Sequence, residues 1–354
     1  MLSAQRLAAM PKAELHCHLE GALHLQTLWG FSQRHEPGRY ASFREFKNAC
    51  TVEKGAAPGF KAFLNKFNAL RFHYGSLADI ERLVDISVRS LGQSAYYREF
   101  RFSPVFFARR LLKGDAANDT IVPSTLVEKV AECVIRSAKK AVVAAGLHEP
   151  GFIVTCSRHF GCKANKATLD LLERPIGKRI SGLDLAGDES VDASDFVKPF
   201  LKWKEAGKKI TIHAGEDPNA AGPRKIVEAI DVFKADRIGH GVRAIEDSTL
   251  VNRLAAEQIP LEICPTSNLQ TCAVKSEKEH PLKRLFDAGV FVTINTDDPV
   301  ICGTTLNDEY AFAARLGLID DDLVKCSRNA FHSTVIPDRK KFGLIAGIMS
   351  HYLV

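Results

Sequence analysis

His16 and His18 stand one residue apart in the stretch 13–18, which reads as a strand. In an extended chain residues two apart share a face, so both imidazoles point one way and Cys17 the other. Alone, such a pair reads as well as two hydrogen-bonded or surface histidines. Other places add residues of the same chemical type at the ends of apolar runs: His213 in His213-Ala214-Gly215-Glu216, His240 in Gly239-His240-Gly241, and Asp297 with Asp298 ahead of Pro299. Singly, His213 could be a core histidine, His240 a turn residue, and Asp297-Asp298 a solvated turn or a helix N-cap. Brought together, imidazoles and a carboxylate suit Zn²⁺ or a similar borderline cation, with one coordination position left for water.

For these residues to meet, the elements that carry them must end at one place. From about residue 120 onward a pattern repeats: helix, often a glycine, a short apolar strand, then a polar residue. Thr125-x-x-Glu128 has the form of a capping box, and Leu126, Val127, Val130, Val134, Ile135 and Val142 follow at helical spacing before Gly146. Strands are expected at 152–156, 182–186, 209–212, 237–239, 259–264 and 290–295, with helices at 195–206, 223–234, 247–257 and 281–288 among them. Earlier, 13–18 and 99–103 complete eight strands. Eight alternating β and α units imply an α/β fold of the (β/α)8 TIM barrel kind, in which all strand C-termini open on one face. An open doubly wound sheet is disfavoured because no glycine-rich phosphate loop follows the first strand. The stretch from about 27 to 80 lacks strand character and spaces Phe43, Phe46, Phe60, Phe63 and Phe67 as a helix would. It reads as a helical insertion after the first strand, over the barrel mouth, acting either as a lid or as a decoration. The stretch after Pro337 reads as a helical tail, and the whole of 1–354 as one domain.

Composition narrows the partners. A net charge of +6 with acidic residues interleaved offers no basic arm, so nucleic acid is not expected. Nine cysteines, odd in number and without a C-x-x-C pair, fit reduced thiols of a cytoplasmic protein. No apolar stretch reaches 18 residues and the first ten lack a signal-peptide core, so no membrane association is expected.

At these same residues the sequence resembles the adenosine deaminase family. The likeness runs in order through Pro11-Lys12-Ala13-Glu14-Leu15-His16-Cys17-His18-Leu19-Glu20-Gly21, Glu99-Phe100-Arg101-Phe102-Ser103-Pro104, Asp184-Leu185-Ala186-Gly187-Asp188-Glu189, His213-Ala214-Gly215-Glu216, Arg237-Ile238-Gly239-His240-Gly241, Pro265-Thr266-Ser267-Asn268-Leu269-Gln270-Thr271 and Asn295-Thr296-Asp297-Asp298-Pro299. The resemblance implies that His16, His18, His213 and Asp297 hold one Zn²⁺ per chain. It implies that Glu216 passes a proton to ring N1, that His240 orients the attacking water, that Asp298 contacts that water and the purine N7 edge, and that the Gly187 backbone meets N3. The implied partner is a small purine nucleoside or base, and the implied reaction is hydrolysis of adenosine or 2′-deoxyadenosine to inosine or 2′-deoxyinosine and ammonia.

One residue departs from the pattern. Adenosine-specific members usually carry Asp two places after the second histidine, near the ribose 5′-hydroxyl; here it is Glu20, as in the adenine and 6-aminodeoxyfutalosine branches. Thr266 to Thr271 and Asp184 to Glu189 resemble the adenosine branch. Two neighbouring chemistries fit less well. Binuclear amidohydrolase barrels carry a lysine on the fourth strand, absent from Leu183 to Gly187, and the H-x-E zinc deaminases need a P-C-x-x-C that this chain lacks. A catalytically silent barrel that only binds partners would be expected to have lost ligands, and none is missing.

Overall fold

A computed structural model describes residues 4–71, 73–92, 94–112, 120–336, 341 and 345. Eight strands form one sheet in chain order, every neighbouring pair parallel: β1 (Ala13–His18), β2 (Tyr97–Phe102), β3 (Gly151–Ser157), β4 (Gly182–Ala186), β5 (Lys209–Ala214), β6 (Arg237–His240), β7 (Leu261–Ile263) and β8 (Val292–Ile294). Nearly every strand position is buried, as expected where helices cover the outside and side chains fill the inside. The fold is a (β/α)8 barrel.

Closure is made by a single bridge rather than a ladder. Cys17 pairs with Asp297 beyond the end of β8. His18 N donates to Asp297 O at 2.8 Å, and Asp297 N donates to His16 O at 2.8 Å. Leu15 N reaches Asn295 Oδ1 at 3.0 Å and Thr296 Oγ1 reaches Glu14 Oε2 at 3.0 Å, so side chains stand in for the missing ladder bonds.

The barrel lumen is charged. Arg237 Nη1 lies 2.8 Å from Glu99 Oε2 and its Nε 2.7 Å from Glu262 Oε1; Arg101 Nη2 lies 2.7 Å from Glu262 Oε2 and its Nη1 3.4 Å from Asp184 Oδ1. All five groups are buried. Buried ion pairs of this kind rarely stabilise more than packed hydrophobes of equal volume, yet removing one partner costs about 3–5 kcal/mol. Their presence fits a role in orienting groups at the barrel top.

Helix 124–144 differs from its expected start. It begins at Ser124 after Pro123, with no side-chain cap bond. Thr125 is already inside the first turn, where its hydroxyl cannot cap the helix, so the expected Thr125–Glu128 capping box does not form. Between β1 and β2 stand four helices, Leu25–His35, Phe43–Cys50, Phe60–Arg71 and Leu77–Ser90. Ser42 and Ser76 cap the second and fourth by accepting from Glu45 N and Asp79 N. Phe46 packs against Trp29 and His73, with ring centroids 5.5 and 5.0 Å apart. All nine cysteines are free thiols, seven of them buried. Among the described residues no helix is long and apolar enough to cross a membrane. The expected tail after Pro337 lies outside the described residues apart from Lys341 and Ile345.

Candidate active site

The strand ends deliver their side chains to one point. His16 and His18, on one face of β1, each place Nε2 3.1 Å from Nε2 of His213 at the end of β5. Asp297 Oδ1 lies 3.2 Å from His16 Nε2 and 3.5 Å from His18 Nε2. Each inner imidazole is held from behind. His16 Nδ1 meets Glu262 Oε2 at 2.9 Å, and His213 Nδ1 meets Asp184 Oδ1 at 3.1 Å. A carboxylate behind each Nδ1 accepts a hydrogen bond from its N–H, which keeps the ring proton there and turns both Nε2 lone pairs toward each other.

Facing lone pairs at that distance repel unless a cation lies between them. Bonds of about 2.0–2.2 Å to a zinc ion space neighbouring donor atoms roughly 3 Å apart, and the four separations here, 3.1, 3.1, 3.2 and 3.5 Å, match. The residues present therefore fit a divalent metal. Among the described residues, the two clusters able to hold an ion, His16/His18/His213/Asp297 and Glu216/His240/Asp297, both lie here.

Two of these residues adopt left-handed backbone, His240 with φ 61° and Asp297 with φ 63°. Such conformations are uncommon outside glycine and concentrate where a site dictates geometry. Asp297 is fixed by its two bonds to β1 and by Ser267 Oγ, which donates to Oδ2 at 2.7 Å. His240 takes Asn268 Nδ2 on its Nδ1 at 3.0 Å, which leaves Nε2 to carry the proton toward the site. Burial above all keeps this imidazole neutral, against the pull of Asp297.

Three carboxyls are pushed above their ordinary values. Glu216 Oε2 lies 3.2 Å from His240 Nε2. Its burial, and then the charges of Asp297, Glu189 and Asp217, push its carboxyl well above the usual carboxylate range. Asp298 is pushed up in the same way by burial and by Asp297, Glu20 and Glu216. Burial pushes Glu20 up to about 8; its Oε1 accepts from Ser103 N at 2.5 Å while Oε2 is buried without a hydrogen-bond partner. Asp184 goes the other way: against the upward push of burial, His213 and Arg101 hold it well below its ordinary value.

These groups open on a cavity of about 420 Å³ lined by His18, Glu20, Gly187, His213, Glu216, His240, Asp297 and Asp298, with His16 just beneath. Phe60, Phe63, Phe67 and Arg71 from the helix Phe60–Arg71, between β1 and β2, line the same cavity. A larger recess of about 1170 Å³ lies at the other end, beside the starts of β2, β3 and β4. Barrel chemistry occurs at strand C-termini, and no ion-holding cluster of described residues lies in that recess.

Gly21 abuts Asp298: a Cβ there would fall 1.8 Å from Asp298 Oδ1 and 2.5 Å from its Cβ. Gly21→Ala is expected to drive the Asp298 carboxyl aside at a folding cost of about 1–3 kcal/mol. Turnover should fall by an order of magnitude or more while metal content, measured by atomic absorption, stays unchanged. Wild-type turnover in the variant would show that Asp298 moves freely and needs no such fit.

Several residues of the site received no role from the sequence. Asp184 and Glu262 behind the imidazoles, and Arg101 between them, were legible only as lone charges inside apolar strands: Leu183-Asp184-Leu185, Leu261-Glu262-Ile263, Phe100-Arg101-Phe102. Ser267 and Asn268, which hold Asp297 and His240, lie in the family-like stretch Pro265 to Thr271 but received no role from it.

The family model for adenosine deaminase matches residues 11–351. The chain belongs to the adenosine deaminase family. Membership makes it a hydrolase of carbon–nitrogen bonds, a deaminase. It is 33% identical over 344 residues to the adenosine deaminase of Shewanella loihica, covering 96% of this chain and 98% of that protein. It is 34% identical over 342 residues to that of Vibrio cholerae, covering 96% and 97%. Among solved structures it is similar to an adenine deaminase from Arthrobacter aurescens (TM-score 0.82, 24% identity, 98% of this chain and 100% of that one). It is also similar to the N6-methyl-AMP deaminase of Arabidopsis thaliana (TM-score 0.78, 23% identity, 99% of each). A third, an amidohydrolase solved with bound Zn, has a TM-score of 0.83 at 21% identity, over 99% of this chain and 93% of that one. At these identities the structural likeness is one of fold.

Proposed function

We propose that this member of the adenosine deaminase family is a Zn²⁺-dependent enzyme, one ion per chain, that hydrolyses adenosine and 2′-deoxyadenosine to inosine, 2′-deoxyinosine and ammonia. The observation that carries the reading is the convergence of His16, His18, His213 and Asp297 on one point beside the buried acid Glu216. The ion, when bound, supplies the Lewis acidity that makes water nucleophilic near neutral pH. Glu216, whose carboxyl burial raises well above the usual range, gives its proton to ring N1 and makes C6 electrophilic. General acid catalysis of this kind contributes roughly 10²–10⁴-fold. His240 and Asp298 aim the attacking water at C6, and Asp298 also meets the N7 edge. The Gly187 backbone meets N3, and the aromatic wall of helix Phe60–Arg71 excludes bulk water as a lid. The unit spans 1–354 and acts in the cytoplasm on a small molecule, with no nucleic acid or membrane partner.

Adenosine as substrate is supported by the curated relatives named above, which match nearly full length. Glu20 supports a neutral, hydroxyl-bearing partner: it is uncharged below about pH 8 and one of its oxygens lacks a hydrogen-bond partner. The same residue favours a second reading, deamination of free adenine or 6-aminodeoxyfutalosine, since a longer acid crowds the sugar side. Ammonia release from adenosine, 2′-deoxyadenosine, adenine, 6-aminodeoxyfutalosine and AMP on zinc-replete protein separates the two. The nucleosides are expected to show the highest kcat/KM; adenine or 6-aminodeoxyfutalosine in the lead would overturn the substrate assignment.

A further inference from the structure

Glu189 lies in the loop after β4, two residues beyond Gly187, and is 0% exposed. Its carboxylate collects three successive amides from the turn after β5. Gly215 N donates to Oε2 at 2.8 Å, while Glu216 N at 2.8 Å and Asp217 N at 3.2 Å donate to Oε1. Successive amides converging on one anion form a strong, directional cradle. Arg158, directly after β3 and 3% exposed, faces the same turn from the other side. Its Nη2 donates to His213 O at 2.6 Å and its Nη1 lies 3.4 Å from Gly187 O. Among the charges attracting Arg158, that of Glu189 ranks first. A buried anion and a buried cation thus join the ends of β3, β4 and β5, and the peptides they grip belong to His213, Gly187 and Glu216.

We infer that Glu189 and Arg158 are positioning residues for the deamination: by clamping these three strand ends they set where the Glu216 carboxyl stands relative to the ring nitrogen it protonates. The inference rests on the proposed function, since it assumes Glu216 is the acid. Neither side chain need touch substrate. Misplacement of a catalytic group by about 1 Å can cost 10²-fold, so a backbone clamp one residue from the acid has large leverage.

Glu189→Gln keeps size but loses the charge and one acceptor oxygen, because its amide nitrogen would face the amide of Gly215 or Glu216. The expected result is a kcat lowered at least tenfold, KM changed less than threefold, and zinc content unchanged. The groups facing Glu216 are Asp297, Asp298, Glu189, Asp217, His240, Arg158 and Thr271. Removing one anion from that set lets Glu216 lose its proton more readily, so the alkaline limb of kcat is expected to move to lower pH. Amide hydrogen exchange in a peptide spanning 213–217 should quicken in the variant, a readout that needs no turnover. Arg158→Lys, which keeps the charge but cannot span two carbonyls, should lower kcat without moving the alkaline limb, and it serves if Glu189→Gln does not fold. A purely structural role predicts a lower Tm with kcat per zinc-loaded chain and the alkaline limb unchanged; that outcome in either folded variant overturns the inference. Failure of the wild type to deaminate any aminopurine would instead sink the proposed function, while exchange at 213–217 would still report on the clamp.

Discussion

Glu216→Gln is expected to lower kcat by roughly 10²–10⁴-fold, the range general acid catalysis supplies, while the protein keeps its zinc. The substitution is close to isosteric, and the main chain at 216 stays held by Glu189. Glutamine can accept and donate hydrogen bonds at this place but cannot transfer a proton to the ring. The pH dependence follows from the direction of the shift. Burial, with Asp297, Glu189 and Asp217 nearby, raises the Glu216 carboxyl, so the acid form is complete at low pH and is lost as pH rises through the raised value. Wild-type kcat should therefore fall on the alkaline side, and the residual activity of the variant should lack that limb. Stopped assays of ammonia release across pH, with zinc measured on the same samples, check both statements. Near wild-type turnover in a zinc-loaded Glu216→Gln sample would remove Glu216 from the acid role.

The second large effect is at the metal. His213→Ala removes the imidazole whose Nε2 stands 3.1 Å from both His16 and His18. Three ligands would remain, and Asp184 would lose the ring it orients at 3.1 Å. Zinc content after dialysis against a metal buffer is expected to drop well below that of wild type, with kcat/KM reduced at least 10³-fold. Near-neutral circular dichroism changes are expected, because the strand carrying His213 keeps its ladder to β4 and β6. Zinc stoichiometry equal to wild type would exclude His213 from the ligand set.

Much of the fold was legible because a parallel barrel buries both faces of each strand, so strands such as β3 and β5 read as short, largely apolar runs closed by a polar residue. The bounds of β7 and β8 were read too long. Apolar character continues through Cys264 and to Val290, whereas the ladders hold only Leu261–Ile263 and Val292–Ile294. Beyond β8 the chain turns inward so that Asp297 can adopt left-handed backbone and bond to β1. His16, His18, His213, His240, Asp297 and Asp298 could be collected from sequence because each sits at a strand end. The charges behind them could not be assigned, since the partner of each comes from another strand: Glu262 for His16, Asp184 for His213, Glu189 for the amides of 215–217. Residue type alone does not say which strands become neighbours or how far round the barrel a side chain reaches.

The seam between β1 and the residues after β8 gives the ion site a place in time as well as in space. Asp297 completes the ring of strands and, on the proposed function, is also the fourth donor; the atoms that join there, such as Leu15 N and Asn295 Oδ1, are 280 residues apart in the chain. A ribosome must release nearly the whole polypeptide before the two ends can meet, and loop closure over such a span is slow. On the proposed function, capture of the ion would fall at the same late stage as completion of the barrel, because the donors on β1 meet Asp297 only when that seam forms.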